Sequence, residues 1–68
     1  MNSNKLKGKL VECGINYEEA AKAIGITSST FSNKINGKKN SKFYVEELDK
    51  LADYLNLSRK ERGEIFFD

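Results

Sequence analysis

The stretch from Asn16 to Gly37, NYEEAAKAIGITSSTFSNKING, constrains the fold more than any other part of this 68-residue chain. It holds two helix-length segments on either side of one glycine. Asn16 with Glu19 three residues later is a capping-box start, and Glu18 and Glu19 suit the positive end of the helix dipole. Ala20, Ala21 and Ile24 then form one apolar face. Gly25 ends the segment because it accepts a positive φ, and Ile26 plugs the turn. Thr27 caps a further helix whose apolar residues, Phe31 and Ile35, lie one turn apart. Two helices crossing tightly need a small side chain at the contact, and Ala21 supplies it. The spacing predicts a helix-turn-helix, with its helices over about 17–24 and 28–36.

The outward side of the 28–36 helix carries Ser28, Ser29, Ser32, Asn33 and Asn36. Exposed helices usually carry Glu, Lys and Arg, which cost less helix propensity than Ser and Asn. At about 100° per residue from Phe31, the residues Ser29, Asn33 and Asn36 fall on the side facing away from the core. Hydroxyl and amide groups there suit base edges in a DNA groove. Thr27 and Ser28 project from the helix N-terminus, where free N–H groups favour phosphate. Double-stranded DNA is the expected partner.

The remaining segments fit the same all-α plan, a compact five-helix bundle over 1–68 as a single domain. The first helix is expected from about Asn4 to Cys13, with Leu6 and Leu10 inward, Val11 and Cys13 beside them and Gly14 as its stop. A loop follows from about Gly37 to Phe43. The fourth helix, about Val45 to Leu55, places Leu48, Leu51, Ala52 and Leu55 on one face, although Tyr44 is a poor cap for it. Asn56 ends that helix and Leu57 returns to the core. Ser58 with Glu61 is a second capping box, opening a fifth helix that closes at Ile65, Phe66 and Phe67.

Net charge is only +2, but it is unevenly spread. Residues 1–44 hold eight Lys and three Glu, a balance of 8 − 3 = +5, whereas residues 45–68 hold four basic and seven acidic residues, 4 − 7 = −3. Lys34, Lys38, Lys39 and Lys42 follow one another with no acid between them, directly after or within the polar-faced helix. One end is built to approach a polyanion. Cys13 is alone and His is absent, which excludes a disulfide within the chain and a Cys/His zinc site. No nucleophile has a base beside it and no carboxylates cluster, so neither catalysis nor a cofactor nor a small-molecule ligand is expected. Without a long apolar run or a signal-peptide core, the expected location is the bacterial cytoplasm rather than a membrane.

Ala21, Gly25, Ile26, Phe31 and the Asn36-Gly37-Lys38 close, continued through LDKLADYLNLS, resemble the Cro/repressor-type helix-turn-helix of the lambdoid phage and xenobiotic-response-element class. The chain is especially similar to small Cro-like proteins of phages and prophages in low-GC Gram-positive bacteria. That resemblance implies a lambda-repressor-like DNA-binding domain and a repressor's role. It implies base contacts by Ser28, Ser29, Ser32 and Asn33, with Thr27 at the groove mouth. It implies phosphate contacts by Asn16 and Tyr17, and by Asn36, Lys38, Lys39, Ser41 and Lys42. Two positions depart from the family: Tyr17 stands where Gln is frequent, and Lys34 where Leu or Ile is frequent. Lys34 is expected to lay its stem over the core edge and turn its ammonium outward to join the phosphate contacts.

One copy presents a single such helix, so two copies on a two-fold related site are expected. The C-terminal end would then meet across the dyad, through Phe67 and Phe66 as a weak dimer contact. The competing expectation is a protein-binding module, an antirepressor or antitoxin, acting through its acidic C-terminal half.

Overall fold

A computed structural model describes residues 1–67 as five helices with no strand among them. They are α1 (Ser3–Glu12), α2 (Tyr17–Ile24), α3 (Ser28–Asn36), α4 (Val45–Tyr54) and α5 (Arg59–Phe66). A short turn over Lys38–Asn40 lies between α3 and α4. No helix among the described residues is long and apolar enough to cross a membrane.

Helix starts are closed by side-chain caps, at Asn16 and Ser58 as the spacing predicts and at Asn2, a cap not expected from the sequence, ahead of an α1 that begins at Ser3. Asn2 accepts from the Lys5 N–H, Asn16 from Glu19 and Ser58 from Glu61, at 3.1, 2.8 and 3.1 Å. Glu19 and Glu61 reach back to the N–H groups of Asn16 and Ser58, so both capping boxes close. Tyr44 lends α4 no side-chain cap, and the Glu47 carboxylate alone accepts from its N–H at 2.9 Å.

Three helix ends share one device. The N–H groups of Ile15, Ile26 and Leu57 each bond a carbonyl five residues back, on Leu10, Ala21 and Ala52. The residue before each adopts a left-handed backbone: Gly14 at φ 68°, Gly25 at 80° and Asn56 at 55°. These are Schellman closures, which saturate the last carbonyls and fold the following apolar side chain back onto its own helix. Ile15, Ile26 and Leu57 join the core in this way.

The core gathers every helix: Leu6 and Leu10 of α1, Ala20, Ala21 and Ile24 of α2, Phe31 and Ile35 of α3, Leu51 and Ala52 of α4, Ile65 and Phe66 of α5. Ala20 and Ala21 let α2 pack against both α3 and α4. Phe31 is wholly enclosed, with the rings of Tyr17 and Phe43 at 5.3 and 5.2 Å on either side. The N-terminus is tied down by the Asn2 N–H, which donates to the Ile65 carbonyl at 2.6 Å.

Four expectations need correcting. Cys13 and Val11, expected beside Leu6 and Leu10, are both exposed, because α1 ends at Glu12 and turns only Leu6 and Leu10 fully inward. Phe66 belongs to the core rather than to an outer contact. Lys34 does not turn its ammonium outward; it is held by Glu47 in a covered ion pair.

Candidate nucleic-acid interface

Three residues, Gly25, Ile26 and Thr27, join α2 to α3. With Phe31 and Ile35 fully buried, the opposite side of α3 is open. Ser28 and Ser29 are exposed at its first turn, and Ser32 and Asn33 are half-exposed one turn on. The side chains of Ser28, Ser29 and Asn33 make no hydrogen bond to other described residues. Asn33 therefore keeps a complete amide donor–acceptor edge for an external ligand.

The other candidates divide by how much of their bonding is already used. The Thr27 hydroxyl accepts from the Thr30 N–H at 3.1 Å and donates to the Thr30 hydroxyl at 2.9 Å, so its capacity is mostly spent on the cap. Asn16 uses its Oδ1 as a cap, which leaves its side-chain N–H groups for a phosphate. Tyr17 leans its ring on Phe31 and is half-buried. Asn36 is engaged at both ends of its amide. Its Oδ1 accepts from the Lys7 ammonium at 2.7 Å, and its Nδ2 donates to the Ser32 carbonyl at 2.9 Å.

Beyond α3 the backbone turns sharply at Lys38–Asn40. Lys39 and Asn40 both lie in the left-handed region, at φ 55° and 58°. Asn tolerates this conformation, whereas Lys39 gives up about 1 kcal/mol to adopt it. The turn leaves Lys38, Lys39 and Lys42 exposed and Ser41 half-exposed. None of the three lysines pairs with a carboxylate among the described residues.

Lys34 behaves differently. Its ammonium sits 2.6 Å from Glu47 Oε1, with the two side chains only 10% and 13% exposed, and 4.3 Å from the centre of the Tyr44 ring. Burial alone would push the Glu47 carboxyl up. The Lys34 ammonium and the Tyr44 N–H outweigh that and hold it below its ordinary value. Its charge is therefore spent tying α3 to α4. The Glu47 partnership and the Lys7–Asn36 contact were both missed from sequence. Nothing in the pattern of α1 separates Lys7 from Lys5 or Lys9, because which neighbour each meets depends on tertiary packing.

Among the described residues, no group of His, Cys, Asp or Glu is arranged to hold a metal ion. The family described as "Protein of unknown function (DUF739)" matches residues 1–68. The chain belongs to the DUF739 family. No curated protein and no solved structure matches it. On the surface of this DUF739 chain, α3 carries open hydroxyl and amide groups, and the lysines that follow its C-terminal end pair with no carboxylate among the described residues.

Proposed function

We propose that the chain is a sequence-specific regulator that binds double-stranded DNA, a Cro-like repressor of a phage or prophage, with α3 entering the major groove. One observation carries this reading. α3 buries Phe31 and Ile35 completely while its opposite side offers unbonded Ser28, Ser29 and Asn33, flanked by the exposed Lys38, Lys39 and Lys42. Groups that neither pack nor pair within the fold are the ones available to a ligand. Base edges need short polar side chains, and phosphates need cations. The α2–α3 pair, with its three-residue turn, is then the DNA-reading unit.

Asn33 is the reader of choice. An amide pairs with adenine N6 and N7 through two hydrogen bonds, and no arginine stands on this face to read guanine. Selection from a random duplex library should give a preferred half-site. Asn33→Ala should cost ~1–3 kcal/mol on that site and relax the preference at one position. Equal losses on preferred and random duplexes would remove Asn33 as a base reader. Absence of salt-dependent binding to any duplex would overturn the function itself.

A single α3 covers a small interface, so two copies on a two-fold site suit specific recognition. Phe67, 76% exposed, remains the candidate for contact between the copies.

A further inference from the structure

We infer that Lys7, on α1, belongs to the DNA-binding surface and grips a backbone phosphate between the start of α2 and the end of α3. The inference rests on the reading of α3 as a DNA-binding helix and extends the surface to an element outside the α2–α3 pair.

Two independent placements support it. The Lys7 ammonium donates to Asn36 Oδ1 at 2.7 Å, which brings α1 to the last turn of α3. Lys7 also lines the open groove bordered by Asn16 and Tyr17, at the start of α2. Lys7 thus stands between the two places from which phosphate contacts are proposed.

Its electrostatics differ from those of its neighbours. Lys9, two residues on and on another side of α1, is neutralised by Glu61 at 2.7 Å and Glu12 at 3.5 Å. Lys34 is neutralised by Glu47. Lys7 meets only a neutral amide, and no carboxylate among the described residues pairs with it. An ammonium has three donors, and the Asn36 bond uses one. The other two and the whole charge remain for an anion. The same bond holds Asn36 with its Nδ2 turned to Ser32. Asn36 therefore anchors Lys7 and is not a free reading edge.

The test is the salt dependence of duplex binding by wild type, Lys7→Gln, Lys7→Arg, Asn36→Ala and the Lys7→Gln/Asn36→Ala double variant. A lost phosphate contact lowers the slope of log affinity against log salt by about 0.9. The Lys7→Gln deficit should then be about 3.5-fold larger at 50 mM than at 200 mM salt. Lys7→Arg should restore the slope, and Lys7→Gln should retain its effect in the Asn36→Ala background. Lys7 is half-exposed, and an unchanged melting temperature should accompany the loss. If wild type binds with a steep slope and Lys7→Gln shares it, Lys7 is not a phosphate contact. If Lys7→Gln is silent once Asn36 is Ala, Lys7 only orients that amide and the inference fails. A wild type that binds no duplex overturns the parent reading as well, which is a distinct result.

Discussion

Lys34→Met separates the two roles a lysine on α3 can have. In the structure its ammonium bonds Glu47 at 2.6 Å in a covered site and lies 4.3 Å from the centre of the Tyr44 ring. A charge-assisted hydrogen bond contributes ~1.5–3 kcal/mol, more than an exposed pair with its ~0–1 kcal/mol. The cation–π contact adds ~0.5–1 kcal/mol. Methionine keeps the apolar stem, and losing the partly buried ammonium recovers some desolvation energy. The net loss should be about 2–3 kcal/mol, which for a domain of this size lowers the melting temperature by about 8–24 °C.

The pH dependence gives a second reading of the same pair. In wild type the Glu47 carboxyl lies below its ordinary value because of Lys34 and the Tyr44 N–H, despite burial. Without Lys34 the burial that opposes ionisation is less well offset, so the folded value rises above that of wild type. The native state of the variant then takes up a proton more readily than that of wild type, and the variant loses less stability as pH falls. The deficit relative to wild type should therefore be largest at pH 7 and shrink toward pH 4 in urea denaturation. A melting temperature within about 4 °C of wild type, about 1 kcal/mol, combined with a shallower salt slope for DNA binding would refute the argument. Lys34 would then be a phosphate contact.

Phe66→Ser and Phe67→Ser should part company. Phe66 is buried, so its loss should cost about 3–5 kcal/mol, whereas Phe67 should leave the melting temperature nearly unchanged and lower only cooperativity on a two-half-site duplex. Equal thermal losses would place both rings in the core. On the acid side, the Glu61 carboxyl is held down to about 2, first by the Lys9 ammonium and then by the Ser58 N–H. A value depressed on folding gives stability that is present above the unfolded value of about 4.3 and is lost as pH falls toward the folded one. Glu61→Gln should flatten the stability curve between these limits, and parallel urea-denaturation curves at pH 2.5, 4 and 7 would contradict the role of the pair.

Much of the fold was legible because its signals are local. Asn16 with Glu19 and Ser58 with Glu61 cap as their spacing predicts, and Gly14 and Gly25 stand where left-handed closures occur. Leu6, Leu10, Phe31 and Ile35 are inward because helical periodicity leaves them no other side. What escaped was chosen between elements. Val11 was expected beside Leu10, yet the packing of α1 leaves it 80% exposed. Lys34 has the length to reach either solvent or α4, and only the approach of Glu47 decides which. Thr27, Asn16 and Asn36 have groups suited to DNA, but the fold already employs part of each.

The uneven charge of the two halves also changes meaning once the chain is folded. Glu47 and Glu61, from the acidic half, neutralise Lys34 and Lys9 of the basic half, while Asp53 pairs with Arg62 at 2.7 Å. Three of the acids that favoured a protein-binding C-terminal half are therefore engaged within the domain. The same pairing filters the cations. Lys9 and Lys34 are removed from the outer field, whereas Lys7, Lys38, Lys39 and Lys42 keep their charge, and Lys7 reaches the end of α3 to touch Asn36. Lys38, Lys39 and Lys42 follow that end in the chain. An incoming polyanion meets positive charge concentrated where α3 ends and an acidic half partly neutralised from within. Under the proposed DNA-binding reading, long-range attraction would turn the molecule toward the duplex with α3 leading, before any base is read.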